Sequence, residues 1–391
     1  MSTTVILGGG FGGLACARAL RSRAPDDHRI VVVDRSSDFL VGAAKTWVML
    51  GEREPEQITR PRAALLPPGV TLSRAEVGRV DAASRRVETS AGPLKADHLV
   101  LALGAQLDMG AVPGLAEAAH SFYTLEDAVR LRSALEAFRG GRLILLVART
   151  PFQCPPAPYE AALLIHAALL RRGLRANTTL EVWTVEKAPM PTAGPKMGER
   201  IVDELVARDI GFHALQKVQG VDSTRRRIRF ESGEVDYDLL IAIPPHRAPQ
   251  VVVEAGLADA AGWVPVDSTT LEIRANAAAS QVYAIGDLAG VPLPGRYDPS
   301  LPLVLPKAGV FAAAQGEVVA ARLAAALRGE AAAATFDGRG FCYIEVGEKQ
   351  AMRGDGSFFE LPHPVMRAQL PDQAQYRDKV EWVTGWLSAP G

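Results

Sequence analysis

The residues of this chain most able to do chemistry are three cysteines and a run of glycines near the N-terminus. Cys16, Cys154 and Cys342 are too few for a disulfide framework, and no C-x-x-C pair occurs. The seven histidines are scattered, which counts against a zinc site. We therefore expect any role of the cysteines to be the chemistry of individual thiols, with Cys16 as a small core residue inside the first helix.

The glycine run G-G-G-F-G-G lies between the apolar run V-I-L and an apolar-periodic helix. At this spacing Gly8 permits a tight turn, Gly10 lets a pyrophosphate approach the backbone, and Gly13 lets the helix pack on the strand. The phosphates would meet free N–H groups and the positive end of the helix dipole, with Phe11 and Gly12 in the same turn. The pattern predicts a dinucleotide site.

Three later positions extend this site. The second predicted strand ends at Asp34, where a carboxylate accepts ribose hydroxyls. The segments A-D-H-L-V-L-A-L-G-A, containing Leu103 and Gly104, and Q-V-Y-A-I-G-D, ending at Gly286 and Asp287, resemble the later motifs of the two-dinucleotide-fold flavoprotein superfamily. The resemblance implies that the turn at Leu103 covers an FAD and that Asp287 binds its ribityl or pyrophosphate region.

A faint internal repeat predicts the architecture. Asp81 and Asp222, like Gly92 and Gly233, are related by one offset of 141 residues, within copies that read as β-meanders. The length of 391 residues favours two or three domains. We expect an α/β fold with two nested Rossmann-like dinucleotide-binding folds and a C-terminal segment. The expected limits are 1–108 and 262–330 for the FAD fold, 109–261 for the second fold, and 331–391 for the C-terminal segment.

The second fold is predicted to have lost its nucleotide site. At the same offset the glycines of the first fold map onto R-T-P-F-Q-C-P-P-A-P, and prolines have no N–H to offer a pyrophosphate. The side chain of Cys154 also occupies the space that a glycine would leave open. This counts against an NAD(P)H dehydrogenase.

Four segments are similar to the sulfide dehydrogenase family, which comprises flavocytochrome c sulfide dehydrogenase flavoprotein subunits and sulfide:quinone oxidoreductases. They are P-F-Q-C-P-P-A-P-Y-E, F-Y-T-L-E-D-A, L-P-K-A-G-V-F-A and G-F-C-Y-I-E, and the similarity extends through most of the chain. The resemblance implies two redox cysteines beside the flavin, at Cys154 and Cys342. It also implies an acid/base role for Glu160 and a place for Lys307 at the flavin pyrimidine.

The chemistry of such a pair is thiol–disulfide exchange, in which hydrosulfide attacks a disulfide or a sulfur bridge and leaves a persulfide and a thiolate. A helix predicted to start near Pro158 would place Cys154 at its N-terminus, which stabilises a thiolate. Alternatives are an inert core thiol for Cys342, an ordinary helix-start carboxylate for Glu160, and a surface lysine for Lys307.

The sequence departs from the family in two respects, which together with the overall composition predict how the cofactor is bound, where the protein is located and which partners it lacks. The stretch D-F-L-V-G-A-A-K has no cysteine at which FAD could be tethered, so FAD should be non-covalent. The first residues lack a signal-peptide pattern, and no run of eighteen uninterrupted apolar residues occurs, which predicts a cytoplasmic protein without a membrane span. The formal net charge of -1 predicts no nucleic-acid partner.

The predicted function is FAD-dependent oxidation of sulfide, or of a related persulfide or thiol, with electrons passed to a quinone. One alternative is an NADH:acceptor oxidoreductase of the same superfamily, and another is an electron-transfer subunit that docks a haem or copper protein. The stretch Y-R-D-K-V-E-W-V-T-G-W-L at 376–387 carries an apolar helical stripe. It could pack on the domain or touch a membrane, with Arg377 and Lys379 at the headgroups. Self-association is left open.

Overall fold

The computed structural model describes residues 2–274 and 281–389, in which helices and strands alternate through most of the chain. The α-helices are α1 Phe11–Arg21, α2 Lys45–Met49, α3 Leu115–Ala118, α4 Leu125–Ala137, α5 Ala157–Arg171, α6 Pro195–Val206, α7 Gln250–Glu254, α8 Gly309–Leu327 and α9 Gln373–Leu387. The strands are β1 Thr3–Leu7, β2 Arg29–Asp34, β3 Asp38–Leu40, β4 Thr59–Pro61, β5 Val70–Arg74, β6 Val77–Asp81, β7 Arg86–Thr89, β8 Gly92–Lys95, β9 His98–Leu101, β10 Gln106–Leu107, β11 Gly141–Val147, β12 Thr178–Thr184, β13 Gly211–His213, β14 Val218–Asp222, β15 Arg227–Phe230, β16 Gly233–Asp236, β17 Leu239–Ile243, β18 His246–Arg247, β19 Val264–Pro265, β20 Val282–Ala284, β21 Ala289–Gly290, β22 Arg339–Gly347, β23 Gln350–Ser357 and β24 Val365–Ala368.

The first sheet is parallel, with strand order β20-β9-β1-β2-β5. Val5, Ile6 and Leu7 of its central strand are fully buried, as expected for a parallel strand covered on both faces. The second sheet, β13-β12-β11-β17, is also parallel. The two sheets confirm the predicted α/β class. Because β20 follows the second sheet in the chain but pairs with β9, we propose that the second fold is inserted in the first, with the limits given above.

Two antiparallel meanders confirm the internal repeat. The strands of β6-β7-β8 and those of β14-β15-β16 begin and end at positions 141 residues apart. Even the bulge recurs, since the register shifts after Val77 in one copy and after Val218 in the other. The sequence repeat is therefore a repeat of structure.

Helix α8 contributes to the core of the FAD fold. A Cβ added to Gly316 would lie 2.4 Å from the carbonyl oxygen of Gly12, so α8 and α1 approach each other closely. Among the described residues, α8 is one helix whose length and apolar composition would allow it to cross a membrane. The sequence analysis did not predict such a helix. Half of that window is buried, and core helices meet the same criteria.

The C-terminal segment consists of the antiparallel sheet β22-β23-β24 and helix α9. The ring of Trp382 stacks on Phe11 at 5.6 Å between centroids, and Trp386 meets the same ring edge-on at 4.8 Å. Helix α9 is therefore packed on the body of the protein, against the first residue of α1. The proposed headgroup contact of Lys379 is wrong, because its side chain is only 2% exposed.

Candidate functional site

A cavity of about 520 Å³ lies between the first sheet, the loop before α5 and the C-terminal segment. Thirteen of the fourteen residues predicted from the sequence line it: Gly8, Gly10, Phe11, Gly12, Asp34, Leu103, Gly104, Cys154, Glu160, Gly286, Asp287, Lys307 and Cys342. The fourteenth, Gly13, lies behind the wall, where its predicted role was helix–strand packing. The fold therefore brings the predicted dinucleotide loop and the predicted redox residues to one cavity.

The glycines of the loop differ in what a side chain would meet. Gly8 has a φ of 102°, and an added Cβ would lie 2.2 Å from the carbonyl oxygen of Ala102. An added Cβ on Gly13 would lie 1.9 Å from the carbonyl oxygen of Gly8. At Gly10 an added Cβ would meet nothing within 4 Å, because that position faces the cavity. Gly8 and Gly13 thus serve the fold, whereas the space at Gly10 is open to a ligand.

This difference gives a prediction. Gly10→Val is expected to leave the fold intact but to prevent retention of FAD, because its side chain fills the approach of the phosphates. Gly13→Ala is the matched comparison and is expected to lower thermal stability itself. Absorbance at the flavin band and the melting temperature of the purified variants measure both effects. Retention of FAD by a folded Gly10→Val protein would contradict the assignment of the loop.

Asp34 lies at the end of β2, beside the glycine loop. Its carboxylate accepts hydrogen bonds from the N–H groups of Gly9 at 2.7 Å and Ser36 at 2.9 Å. The guanidinium of Arg62 lies 3.4 Å away and donates to the carbonyl oxygen of Gly9 at 2.8 Å. Arg62 was not predicted from the sequence. The predicted ribose acceptor is thus fixed in position by the loop that it serves.

Asp287 is a buried carboxylate with spare hydrogen-bonding capacity. Its Oδ2 accepts from the side-chain amide of Gln153, whereas Oδ1 is buried and has no partner among the described residues. Burial raises the pKa of this carboxyl, and the neighbouring ammonium of Lys307 opposes the rise. An unsatisfied buried acceptor facing a cavity calls for a ligand donor, and a ribityl hydroxyl is suited to this. With the open space at Gly10, the residues fit a flavin dinucleotide.

Lys307 is buried, with 8% of its surface exposed, so the alternative of a surface lysine is wrong. Its ammonium donates to the backbone oxygen of Asp287 at 2.5 Å and lies 3.2 Å from the ring centroid of Trp263. Burial lowers the pKa of Lys307 to about 8, against the attraction of Asp287. The residue supplies a cation inside the cavity.

Cys154 and Cys342 reach the cavity from different parts of the fold. Cys154 lies in the loop between β11 and α5, with a left-handed backbone (φ 55°) and an N–H that donates to the carbonyl oxygen of Lys307 at 2.8 Å. Cys342 lies on β22 opposite Gly354. Both are free thiols, and the charge of Cys154 raises the pKa of Cys342. Cys16 is fully buried in α1 and does not line the cavity.

The sequence predicted a stabilised thiolate at Cys154, but the surroundings of this sulfur favour the neutral thiol. The N–H of Ala157, at the start of α5, does act on the sulfur and favours the thiolate, as do Lys379 and Lys45. Burial is the larger effect, however, and with the charge of Glu160 it raises the pKa of Cys154 to about 12. Burial likewise raises the pKa of Cys342 to about 12. Both sulfurs are therefore neutral thiols in this state of the protein.

Glu160 belongs to a buried ionic cluster that we call the carboxylate–lysine cluster: Glu160, Glu345 and Lys379. The ammonium of Lys379 donates to Oε1 of Glu160 at 3.0 Å and to Oε1 of Glu345 at 2.5 Å. Glu345 also donates its N–H to Oε2 of Glu160 at 3.0 Å and accepts from the indole N–H of Trp47 at 2.7 Å. Burial raises the pKa of Glu160, and Lys379 opposes it. Glu160 is therefore not an ordinary exposed carboxylate at a helix start.

Lys379 and Glu345 escaped the sequence analysis. One signal was present, because Lys379 is three residues after Tyr376 and four before the buried Val383, on the apolar stripe of α9. A lysine on such a stripe needs a buried partner. Its partners are 34 and 219 residues away in the chain, so no local pattern could identify them.

The acid at the end of the second strand of the second fold has an internal partner. Glu186, just after β12, accepts the hydroxyl of Tyr159 at 2.5 Å and that of Thr184 at 3.4 Å. Burial raises the pKa of Glu186 to about 7. In a nucleotide-binding fold this carboxylate would receive ribose hydroxyls. Here Tyr159 of α5 takes that place.

Sequence comparisons place these features beside known proteins. Residues 2–147 match the protein family described as pyridine nucleotide-disulphide oxidoreductase. The mitochondrial sulfide:quinone oxidoreductase of Mus musculus is 26% identical over 302 residues, covering 74% of this chain and 66% of the mouse protein, just under two thirds of its length. The sulfide-quinone reductase of Aquifex aeolicus is 27% identical over 318 residues, covering 78% and 72%.

The X-ray structure of the sulfide:quinone oxidoreductase from Aquifex aeolicus superimposes with a TM-score of 0.87 at 23% identity, covering 98% of this chain and 90% of that one. At this identity the match establishes the fold. The protein thus has the fold of FAD-dependent disulfide oxidoreductases, and the fold and the relatives together imply a flavin cofactor.

Proposed function

We propose that the protein oxidises sulfide, or a related persulfide or thiol, through Cys154 and Cys342 and passes the electrons by way of FAD to a quinone. The observation that carries this proposal is that the two cysteines, 188 residues apart in the chain, line the cavity that also contains the glycine loop. The names and coverage of the relatives support the same activity.

FAD would supply the two-electron acceptor of this reaction. The glycine loop would hold its pyrophosphate, Asp34 a ribose, Asp287 the ribityl chain and Lys307 the pyrimidine end. Gly42 and Ala43, in the stretch that lacks the tethering cysteine of the family, line the cavity, which supports non-covalent binding. Heat or acid should therefore release the flavin into the supernatant.

The two sulfurs have different surroundings, which suggests different roles. When hydrosulfide attacks the sulfur–sulfur bond between the two cysteines, the attacked cysteine becomes a persulfide. The other cysteine leaves as a thiolate with the electron pair of the broken bond. Glu160 acts on both sulfurs, but Cys154 also has two cations and the N–H of Ala157 near it, whereas Cys342 has the N–H of Gly354 and no cation among the groups that act on it. We assign the leaving thiolate to Cys154 and the persulfide to Cys342.

Glu160 is the proton-transferring group of this scheme. Its carboxyl group has a raised pKa, and its charge affects both cysteines. A carboxyl whose pKa is shifted towards neutrality can take a proton from entering hydrogen sulfide and return it later. Lys379 holds the carboxylate in one orientation through the bond to Oε1.

A quinone fits the remaining surface of the cavity. Phe341, Tyr343 and Trp382 line it on the side of the C-terminal segment, where a flat apolar ring can stack. NADH as the donor is disfavoured by Glu186, which is occupied by Tyr159. A quinone dissolves in lipid, so we further propose that the protein works at a membrane surface, as flotation with liposomes can test.

Anaerobic titration of the yellow protein with sulfide and, separately, with NADH tests the proposal. We expect sulfide to bleach the flavin in a two-electron step and NADH to have no effect, and decylubiquinone should then restore the colour. Bleaching by NADH alone would establish the NADH:acceptor alternative. Bleaching by sulfide with recovery only after addition of a haem or copper protein would replace the quinone with a protein partner.

A further inference from the structure

Lys45, the first residue of α2, is a charged residue of the cavity that the proposed function does not use. Its ammonium donates to the carbonyl oxygen of Tyr123 and lies 5.4 Å from the centroid of that ring. The hydroxyl of Tyr123 in turn donates at 2.9 Å to the carbonyl oxygen of Gln153, the neighbour of Cys154 in the chain. Tyr123 thus connects Lys45 to the loop that carries Cys154.

The charged and titratable groups of the cavity near Cys154 include residues of four elements. Glu160 belongs to α5, Lys379 to α9, Lys45 to α2, and the second thiol, Cys342, to β22. The ammonium of Lys379 is already shared by two carboxylates of the carboxylate–lysine cluster. Its positive charge is therefore balanced before Cys154 ionises.

Lys45 has no such balance. In the part of the chain that the structure describes it forms no ion pair, and the carboxylates of Asp127 and Asp287 affect it only at longer range. Burial lowers the pKa of Lys45 to about 8, while Cys154 raises it. An ammonium held in a cavity with only a carbonyl and an aromatic ring as partners gains most from a nearby anion.

We propose that Lys45 is the counter-cation of the Cys154 thiolate and acts through that sulfur during turnover. When the sulfur–sulfur bond breaks, the electron pair stays on Cys154, and the charge of Lys45 stabilises it without transfer of a proton. No further oxidant or reductant is needed for this role. The inference deepens the proposed function, because a stabilised thiolate at Cys154 is the leaving group assigned above.

The test measures the ionisation of each thiol in FAD-loaded, reduced protein. Iodoacetamide alkylation is followed from about pH 6 to about pH 10 and resolved by peptide mass spectrometry, since the thiolate is the reactive form. We expect Lys45→Met to slow alkylation of Cys154 about tenfold near neutral pH, which corresponds to a rise of about one unit in the pKa of this thiol. Lys45→Arg keeps the charge and is expected to keep the rate.

Alkylation of Cys342 and a control variant show whether the effect on Cys154 comes from the charge of Lys45. Alkylation of Cys342 in the same molecules should not be slowed by Lys45→Met, because the groups that act on that thiol are Cys154, Glu160, Asp355 and the N–H of Gly354. Lys217→Met removes an ammonium whose side chain is 66% exposed and should change neither thiol. Lys45→Gln is a second neutral variant if Lys45→Met does not retain FAD, and it should reproduce the slowing.

Three results would overturn the inference. They are an unchanged rate at Cys154 in the folded neutral variants, equal slowing of both thiols, which indicates altered access to the cavity, and a Lys45→Arg protein as slow as Lys45→Met. Alkylation requires neither sulfide nor quinone. A failure of sulfide to bleach the flavin would therefore reject the proposed function while the alkylation profile still decided the role of Lys45.

Discussion

Replacement of Cys154 or of Cys342 with serine is expected to abolish reduction of the flavin by sulfide, whereas Cys16→Ser should leave it unchanged. A hydroxyl cannot form the sulfur–sulfur bond that hydrosulfide attacks, so each variant loses the whole reaction rather than a share of it. We expect a fall of at least about a thousandfold in the rate of anaerobic bleaching, since groups that act as a unit fail together. Stopped-flow absorbance of the flavin band measures the rate.

Cys16→Ser is the control for removal of a thiol. Cys16 is fully buried inside α1, and its pKa is raised to about 12 by burial alone. All three variants should retain FAD, because none of the three side chains is a predicted holder of the cofactor. Persistence of sulfide-driven bleaching in either Cys154→Ser or Cys342→Ser would reject the cysteine-pair mechanism. Dithionite should bleach every variant, which shows that the flavin itself remains reducible.

The parts of the fold that the sequence predicted are those governed by local spacing. Gly8 and Gly13 could be assigned because tight turns and helix–strand packing exclude a Cβ, and the added atoms would indeed lie 2.2 Å and 1.9 Å from backbone oxygens. The repeat was visible for the same reason, since strands of equal length return at one offset. The spacing of the glycines was enough to predict both positions, although the oxygen that Gly8 approaches belongs to Ala102, which the spacing did not identify.

The parts that could not be predicted depend on contacts between distant segments. Lys45 meets Tyr123 across 78 residues, and Glu160 meets Lys379 across 219. The prediction of a stabilised thiolate at Cys154 was wrong for a related reason. The helix N-terminus was visible in the sequence, but burial of the sulfur, which outweighs it, depends on a cavity whose walls come from distant parts of the chain.

Lys379→Met is expected to be among the most destabilising single substitutions outside the cofactor loop. Lys379 is the shared partner of two buried carboxylates, with side-chain exposures of 7% for Glu160 and 3% for Glu345. Methionine fills a similar volume but leaves those carboxylates without their cation. Removal of one partner from a buried ionic group costs about 3–5 kcal/mol. We expect that loss in the free energy of unfolding at about pH 7, measured by urea denaturation of FAD-loaded protein.

The pH dependence separates lost charge pairing from lost packing. In the folded protein, burial raises the pKa of Glu160 above its unfolded value, and loss of Lys379 would raise it further. A carboxyl with a raised folded-state pKa lowers stability above that pKa, and the penalty vanishes as the pH falls towards the unfolded pKa of about 4.3. The deficit of Lys379→Met relative to the natural protein should therefore shrink between about pH 7 and about pH 5.

Two further variants make this prediction decisive. Lys217→Met, which removes an exposed ammonium 3.6 Å from Glu231, should change the free energy of unfolding by less than about 0.5 kcal/mol. Adding Glu160→Gln to Lys379→Met should restore part of the loss, because an uncharged amide needs no cation. A deficit of equal size at both pH values, with no recovery in the double variant, would show that Lys379 stabilises α9 by packing of its methylene chain alone. The carboxylate–lysine cluster would then not be what holds the terminal helix over Cys342 and the flavin cavity.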